Sequence, residues 1–309
     1  MGPMPQRSPL VLAGLAAAAV RGLAPVTARA TDSSADDVDV ALVTDDERRH
    51  WVVRAPRTTA AGARLAQEAR LLAVLRTRGA ALPFTVPEVV GTATLPEGGT
   101  ALVCTVVDGA PVDPSALVAG AALTSSLAKV VAALHDLPTA TFEDGGAPVY
   151  GVEEYRQRRM AEVDRAAASG NVPAALLDRW EKAFDEAGAW RFSPCPVHGD
   201  LAPESVLAEG ARITGVLDWS EARVADPADD LAWLAAAADP EAFDALLAEY
   251  TQARNDPPDP HLARRARLSG ELAVARWLLH GLTSNDRAIV KDAVGMLREL
   301  EEAVEGSPW

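Results

Sequence analysis

Three aspartates within residues 197–234 carry the strongest chemical signal of the sequence. Asp200, Asp218 and Asp230 are each embedded in short apolar runs, where an ionised carboxylate needs a metal ion, a hydrogen-bond donor or a proton. This combination of residue types and spacing indicates a chemical site and not an ordinary solvated surface.

A predicted hairpin determines which of these carboxylates meet. Residues 205–207 and 213–217 favour strands, and the segment between them supplies the glycine and polar residues of a turn. A hairpin brings its two outer ends together. We therefore expect the loop that carries Asp200 to lie beside Asp218, although 18 positions separate the two residues.

Two neighbouring carboxylates have a specific chemical use. They repel each other unless a cation lies between them or one of them holds a proton. Mg2+ prefers oxygen ligands and completes its shell with water and substrate phosphates. A carboxylate that the metal does not use is able to orient a hydroxyl group and accept its proton, which is the division of labour in phosphoryl transfer.

Three motifs extend this pattern to a known family. They read HGDL at 198–201, GVLDW at 215–219 and DPADDLA at 226–232. Together they resemble the signature of the aminoglycoside phosphotransferase family, whose fold is similar to that of the protein kinases. The run DWSEARV at 218–224 resembles more closely the macrolide 2'-phosphotransferases, which are bacterial antibiotic-resistance kinases.

The resemblance implies a role for each motif residue. Asp200 is expected to be the catalytic base, Asp218 the main metal ligand, and His198 and Asp230 the residues that brace the catalytic loop by hydrogen bonds. The wider family has asparagine five residues after the catalytic aspartate, and the macrolide enzymes often have histidine. This chain has Ser205 there. A hydroxyl is a weaker and shorter Mg2+ ligand, and we assign Ser205 with Asp218 to the metal site.

A basic and an acidic residue upstream are expected to form an ion pair. Residues 38–44 and 50–55 favour two strands of a hairpin, and Arg54 in the second resembles the residue that reaches the nucleotide phosphates. Apolar residues recur at helical spacing over 61–76, and Glu68 lies on the same face. A carboxylate among leucines needs a cation, so Glu68 is predicted to position Arg54. Alternatively, Glu68 lies at the edge of the stripe and reaches water.

Two further segments are candidates for nucleotide contact. The segment 31–37, TDSSADD, lies where kinases place a glycine-rich lid, but it contains no glycine. Backbone amides at Ser33 and Ser34 are able to form an anion-binding nest, whereas the neighbouring aspartates repel phosphate; an ordinary acidic loop is the alternative. By the resemblance, 107–109 is the hinge, and the backbone at Val107 binds the purine.

The predicted fold class is α+β, a two-lobed protein-kinase-like fold. Residues 1–106 form a small nucleotide-binding lobe with an antiparallel sheet, which strands at 88–94 and 101–107 complete. Residues 110–309 form a larger, mostly helical lobe that carries the catalytic core and the substrate site. Helical periodicity and Pro or Gly boundaries predict helices at 123–137, 152–168, 173–187, 240–254, 261–282 and 285–304.

The resemblance implies that helices around the catalytic core build the acceptor site. Trp233, Trp277 and Leu278 are candidates for an apolar wall against a large lactone, and Glu271 for the partner of an amine. The alternative is that they are ordinary core or surface residues at helical spacing. The expected acceptor is the 2'-OH of a macrolide, and the resemblance implies GTP as donor in preference to ATP, with Mg2+.

Two other functions remain open. The first is the same chemistry on an aminoglycoside or another small alcohol. The second is a nucleotide- or drug-binding protein with little turnover, which the serine at 205 and the glycine-free lid suggest. The chain has no GxxxxGK[ST], GxGxxG, HExxH or GxSxG motif, so other nucleotide and hydrolase chemistries lack support.

Composition and the first residues bear on partners and location. The net charge of −15 argues against a nucleic-acid partner, and no apolar run reaches the about 20 residues of a membrane span. Cys104 and Cys195 lack metal-ligand spacing and are expected to be buried thiols of a cytoplasmic monomer.

Residues 1–30 imitate a secretory signal. We favour an opening helix at 9–21 and a strand at 26–30, because a nucleotide-dependent kinase needs the cytosol.

Overall fold

The computed structural model describes residues 6–31, 37–78 and 82–305. In chain order its elements are α1 Pro9–Ala19, β1 Pro25–Ala30, β2 Val38–Asp45, β3 His50–Pro56, α2 Thr59–Arg78, β4 Val89–Thr94, β5 Thr100–Thr105, β6 Ala110–Pro111, α3 Ala122–His135, α4 Thr139–Asp144, α5 Val152–Ala168, α6 Ala174–Asp185, β7 Cys195–Val197, β8 Val206–Glu209, β9 Arg212–Val216, β10 Arg223–Ala225, α7 Ala228–Ala237, α8 Pro240–Ala253, α9 Leu262–Ser284 and α10 Arg287–Val304.

Contacts divide the chain into two units that interleave along the sequence. The first unit contains Met1–Asp113, Pro138–Pro148 and Ala202–Ala222. The second contains Pro114–Leu137, Val149–Leu201 and Arg223–Trp309. Asp218 and Ser205 therefore belong to the first unit, while Asp200 and Asp230 belong to the second. The lobe boundary at 107–109 stays a prediction.

The first unit is built on an antiparallel five-stranded sheet in the order β1-β2-β3-β5-β4. Side chains alternate between the two faces of each strand. Val53 and Ala55 of β3 pack with α1 on one face, and Val52 of β3 packs with α2 on the other. Arg54 follows the same alternation and faces α2. The predicted hairpin of β2 and β3 is confirmed, and its register pairs Val40 with Arg54.

A second, smaller sheet in the first unit carries the motif residues 205 and 218. The strands β8 and β9 form the predicted antiparallel hairpin, with Gly210 at φ +62° in its turn, and β6 pairs with β8 on the other side. The peptide N–H of Leu217 donates to the carbonyl oxygen of Ser205 at 2.8 Å. The backbone of Ser205 is thus joined to the residue that immediately precedes Asp218.

The second unit is mainly helical. Leu176, Trp180, Ala183 and Phe184 form the buried stripe of α6, which packs with α5 and α9 in one core. Helices α7 and α9 approach closely, since a Cβ added at Gly270 would lie 3.0 Å from the carbonyl oxygen of Ala232. The short strands β7 and β10 pair antiparallel and bring residues 195–197 beside 223–225.

Most predicted elements are present within a few residues of their expected bounds, among them α2, α5, α9 and α10. The opening helix and the strand after it are observed as α1 and β1. Two helices, α4 and α7, were not predicted. No helix among the described residues has both the length and the apolar character that crossing a membrane requires.

Candidate functional site

In the first unit, the guanidinium of Arg54 lies between two carboxylates. Its Nη1 donates to Glu68 Oε1 at 2.5 Å, and its Nη2 lies 3.2 Å from Asp218 Oδ1. The Glu68 side chain is fully buried, the Arg54 side chain is 16% exposed, and the Asp218 side chain is 51% exposed. The predicted ion pair is present, and full burial excludes the alternative that Glu68 reaches water.

The pKa of Arg54 reflects this position. Burial disfavours the charged form, but the negative charges of Glu68 and Asp218 outweigh burial and raise the pKa above its ordinary value. Arg54 therefore keeps its positive charge, and one of its two partners, Asp218, is half exposed. A fixed cation of this kind is what binding of a phosphate group requires.

Glu68 also holds the backbone that follows Asp218. Its Oε1 accepts a hydrogen bond from the peptide N–H of Trp219 at 3.2 Å. The Trp219 ring is buried, stacks on Phe84 with centroids 6.2 Å apart, and donates through Nε1 to the carbonyl oxygen of Val216 at 3.0 Å. One buried carboxylate thus fixes both the guanidinium and the chain at residues 218–219.

Asp218 has a left-handed backbone, with φ +61° and ψ +60°. This region is costly for side chains other than glycine, although aspartate and asparagine tolerate it better than most. The strain is held in place because β9 ends just before it and the buried Trp219 follows it. The carboxylate is presented to solvent on a backbone fixed from both sides.

Ser205 is buried, and its hydroxyl closes a short loop. The Oγ donates to the carbonyl oxygen of Ala202 at 2.9 Å and accepts from the peptide N–H of the same residue at 3.0 Å. A serine hydroxyl has one donor and two acceptor positions, so these bonds leave one lone pair. The Asp218 carboxylate and this oxygen are both hard donors of the type that suits Mg2+. In donor chemistry, the two predicted metal ligands fit the ion.

In the second unit, Asp230 holds the backbone just before Asp200. Its Oδ2 accepts from the peptide N–H of His198, and its Oδ1 from that of Gly199, both at 2.8 Å. Asp230 is fully buried, and His135 Nε2 lies 3.1 Å from Oδ2. The geometry matches the expected bracing by Asp230; at residue 198 the hydrogen bond to Asp230 comes from the backbone.

His135 and a tyrosine extend this network. His135 Nδ1 lies 2.8 Å from the hydroxyl of Tyr250, and the two rings meet edge to face. His135 is therefore a buried histidine with a partner at each ring nitrogen. Its contact with Asp230 makes it a support of the loop, which helical spacing alone did not indicate.

Arg223 is a second brace that sequence reasoning missed. Its Nη2 donates to the carbonyl oxygen of Gly199 at 3.0 Å and to Asp229 Oδ2 at 2.6 Å, and the hydroxyl of Tyr155 donates to Asp229 as well. Gly199 is held through both its N–H and its carbonyl oxygen. The neighbouring Asp200, whose side chain is exposed, projects from a fixed backbone.

The charge of Asp229 depends on these neighbours. Burial alone would raise the pKa of its carboxyl group, but the charges of Arg223 and Arg159 and the hydrogen bond from Tyr155 outweigh burial and lower it. Asp229 and Arg223 lie between the motif residues 218 and 230, so the sequence signal was present. It could not be assigned without knowing that β7 pairs with β10.

The acceptor candidates fall into different environments. Leu278 is fully buried in the core of the second unit, and Trp277 is a surface residue that stacks on His280 and donates to Asp292 at 2.9 Å. Leu278 therefore fits the alternative of an ordinary core residue, and Trp277 fits that of an ordinary surface residue. Trp233 is partly buried, and its indole Nε1 has no partner among the described residues, so Trp233 stays a candidate.

Glu271 is engaged within the protein. Arg179 Nη2 donates to its Oε1 at 2.8 Å, Arg179 Nε lies 3.0 Å from its Oε2, and the indole N–H of Trp180 donates to Oε2 at 2.9 Å. A substrate amine would have to displace a paired guanidinium. We therefore interpret Glu271 as a structural link between α6 and α9.

The nucleotide candidates are described in part. Ser33 and Ser34 lie outside the described residues. Val107 is buried against the β9 strand, where a Cβ added at Gly215 would overlap Val107 Cγ1. Gly109 has φ +129°, as a bend at this position requires, and Thr214 Oγ1 donates to the carbonyl oxygen of Asp108 at 2.7 Å.

Comparison with known proteins places this arrangement in a family. Residues 29–268 match the model of a phosphotransferase enzyme family, APH. The chain is 30% identical over 207 residues to the uncharacterized protein YcbJ of Bacillus subtilis (strain 168), covering 63% of this chain and 65% of YcbJ, slightly less than two thirds of that relative. It is 31% identical over 226 residues to viomycin phosphotransferase of Streptomyces vinaceus, covering 64% of this chain and 71% of that protein.

A solved structure agrees with this match. The apoenzyme of the macrolide 2'-phosphotransferase MphH from Brachybacterium faecium superposes with a TM-score of 0.75 at 28% identity, covering 89% of this chain and 94% of that one. The predicted α+β, kinase-like fold class is confirmed by this likeness and by the family match.

Proposed function

The chain belongs to the phosphotransferase enzyme family, and from that premise we propose that it transfers the γ-phosphoryl group of GTP or ATP to the 2'-OH of a macrolide antibiotic. GTP is the proposed donor of the two, and a cytoplasmic monomer is the proposed form. The observation that carries the proposal is the Arg54 guanidinium held between buried Glu68 and half-exposed Asp218.

Arg54 would bind the nucleotide phosphates. Its charge is permanent, and Glu68 fixes one edge of the guanidinium, so the other edge is available to an incoming oxyanion in place of Asp218. The pre-set position means that little side-chain entropy is lost when phosphate binds. This explains why a buried glutamate is useful beneath a strand arginine.

Asp200 would act on the acceptor. The acceptor oxygen attacks the γ-phosphorus, its proton passes to the Asp200 carboxylate, and the bond from the γ-phosphorus to the β–γ bridging oxygen breaks to release the nucleoside diphosphate. Asp230 and Arg223 fix the backbone at Gly199, so the exposed side chain of Asp200 extends from a backbone held in place. General-base catalysis depends on such positioning within hydrogen-bond reach.

Asp218, with the remaining lone pair of Ser205, would hold Mg2+. When bound, the ion supplies charge neutralisation for the phosphates during transfer. Without the ion, Asp218 pairs with Arg54. The same carboxylate would therefore bind Arg54 when the ion is absent and Mg2+ when it is bound.

Two observations bear on the acceptor. The likeness to a macrolide 2'-phosphotransferase, which covers most of both chains, favours the macrolide. The relation to viomycin phosphotransferase favours a second candidate, the same transfer to an alcohol of another antibiotic. Both candidates use the same donor side and the same base.

A donor and acceptor panel tests the proposal. The purified chain is incubated with erythromycin, kanamycin or viomycin and with GTP or ATP, and phosphorylated product is measured by mass spectrometry. We expect erythromycin to gain one phosphoryl group, faster with GTP. Phosphorylation of only kanamycin or viomycin would assign the second candidate. If nothing is modified but one antibiotic raises the melting temperature, the chain is a binding protein with little turnover.

A further inference from the structure

The peptide group between Gly199 and Asp200 lies at a flexible point of the second unit. A peptide group is planar, so the carbonyl oxygen of Gly199 and the N–H of Asp200 turn together. Gly199 has φ +86°, a region that glycine adopts without strain, and glycine is the least restricted residue of a chain. Gly199 alone therefore does not set the orientation of the peptide group from which Asp200 extends.

Asp230 holds the chain on the upstream side of this peptide group. Its two carboxylate oxygens accept hydrogen bonds from the peptide N–H groups of His198 and Gly199. Both N–H groups belong to peptide groups that precede the Cα of Gly199. The peptide group that follows this Cα is free to rotate relative to them unless another contact holds it.

Arg223 supplies a contact on the downstream side. Its Nη2 donates to the carbonyl oxygen of Gly199 at 3.0 Å. Strand pairing fixes the backbone of Arg223, because the register of β10 and β7 places it opposite Val197, two positions before Gly199. Gly199 is thus held by Asp230 on one side of its Cα and by Arg223 on the other.

The guanidinium of Arg223 is itself held from the core. The same Nη2 lies 2.6 Å from Asp229 Oδ2, and the hydroxyl of Tyr155 donates to that oxygen as well. The Tyr155 ring is buried in the apolar core of the second unit, where it meets Phe192 edge to face. The side chains of Asp229 and Arg223 are 4% and 15% exposed. Exposure thus increases from Tyr155 through Asp229 to Arg223.

Each of these groups keeps one protonation state around neutral pH. Burial and the charge of Asp229 raise the pKa of the Tyr155 hydroxyl, so the phenol keeps its proton and stays a donor. Burial disfavours the charged form of Arg223, but the charge of Asp229 outweighs burial and raises the pKa of Arg223. The pKa of Asp229 is lowered, so its carboxylate stays ionised.

We propose that Tyr155, Asp229 and Arg223, which we call the relay, are positioning residues for the proposed base. The relay fixes the Gly199–Asp200 peptide group to the core of the second unit and so sets the direction of the Asp200 side chain. This inference rests on the proposed function, because it assigns the relay to the base of phosphoryl transfer. A displacement of about 1 Å at a reacting group lowers the rate by about 10²-fold.

Tyr155→Phe is the sharpest test, since it keeps the ring in the core and removes one hydroxyl. Tyr150→Phe is the matched control, because the Tyr150 ring lies 6.0 Å from that of Tyr155 and the change leaves the relay intact. With the antibiotic that the wild type phosphorylates, we expect Tyr155→Phe to lower kcat about fivefold, the effect of one hydrogen bond, at an unchanged KM for the nucleotide. The control should keep the wild-type kcat.

Arg223 is tested by a paired change, because Arg223→Met alone leaves the buried Asp229 without this guanidinium. Arg223→Met combined with Asp229→Asn removes both charges and also removes the contact with Gly199. We expect kcat to fall by about 10²-fold while the KM for the nucleotide stays at the wild-type value. Circular dichroism and melting temperatures check folding, and if this double variant does not fold, Tyr155→Phe decides.

Hydrogen exchange measures the hold on the loop without turnover. The amides of His198 and Gly199 are followed by mass spectrometry of peptides that contain residues 198–200. Their exchange should be about fivefold faster in Tyr155→Phe than in the wild type, and unchanged in Tyr150→Phe. Because this readout needs no substrate, it separates the relay from the identity of the antibiotic.

The outcomes distinguish the relay from the proposed function. Unchanged exchange or unchanged kcat in folded Tyr155→Phe would overturn the relay. A loss of kcat no larger than the unfolded fraction, or a matching rise in the KM for the nucleotide, would show that the residues are structural only. If the wild type phosphorylates none of the antibiotics, the proposed function fails, and the exchange rates alone decide whether the relay holds this peptide group.

Discussion

The Arg54–Glu68 pair allows an asymmetric prediction about stability. Glu68 is fully buried and its Oε2 has no partner among the described residues, whereas Arg54 is partly exposed and has Asp218 as a second partner. Arg54→Met leaves the Glu68 carboxylate buried with only the Trp219 N–H as donor. Removing one partner of a buried pair in this way costs about 3–5 kcal/mol.

The opposite change should cost less. Glu68→Gln keeps an oxygen near the position of Oε1 for the Trp219 N–H, and Arg54 retains Asp218. The loss is that of a charge-assisted hydrogen bond partly replaced by a neutral one, about 1–2 kcal/mol. The double variant Arg54→Met with Glu68→Gln should cost clearly less than the sum of the single changes, since the uncompensated charge is absent.

Urea denaturation followed by tryptophan fluorescence measures these free energies of unfolding, and nucleotide titration measures binding by the same variants. Both single changes should weaken nucleotide binding, because one removes the cation and the other its anchor. The reasoning is refuted if the single effects add to within about 0.5 kcal/mol of the double effect, or if Glu68→Gln costs more than Arg54→Met.

Two further predictions concern ionisable groups. Burial raises the pKa of the Cys104 thiol to about 12, so the native protein should not react there with a thiol-specific disulfide reagent, whereas the urea-unfolded chain should; rapid native modification at Cys104 would contradict this. The pKa of Asp229 is lowered in the folded state, so its stabilisation is present above the unfolded pKa of about 3.9 and is lost as pH falls through the folded value. The stability difference between the wild type and Asp229→Asn should be constant above about pH 5 and shrink below about pH 4, and a pH-independent difference would be inconsistent with the lowered pKa.

The sequence predicted the elements with strong periodicity or clear boundaries. The β2–β3 hairpin follows from two β-rich runs around a charged turn, and α5 was bounded correctly by its apolar spacing and the glycines near its ends. Helix α7 was missed because most of its first seven residues are buried, Asp229 and Asp230 among them. A helix buried on most sides has no polar face, so its sequence shows no amphipathic period.

The site was predictable where a charged residue stands among apolar residues in the sequence. Glu68 among leucines required a cation, and Arg54 is that cation. The hold of Arg223 on Gly199 spans 24 positions and depends on the pairing of β7 with β10. Glu271 was read as a partner for an amine, but its partner is Arg179, 92 positions away. A local sequence pattern does not predict contacts that depend on tertiary packing.

The most direct test of the proposed function is the turnover of erythromycin with GTP by the wild type, Asp200→Ala and Asp164→Ala, the last a control at an exposed aspartate of α5. Product is measured as the mass increment of one phosphoryl group, and circular dichroism checks that the variants are folded. We expect the wild type and Asp164→Ala to react at similar rates and Asp200→Ala to be slower by about 10²–10⁴-fold. Near-normal turnover by folded Asp200→Ala would contradict the assignment of Asp200 as the base on which the proposed mechanism depends.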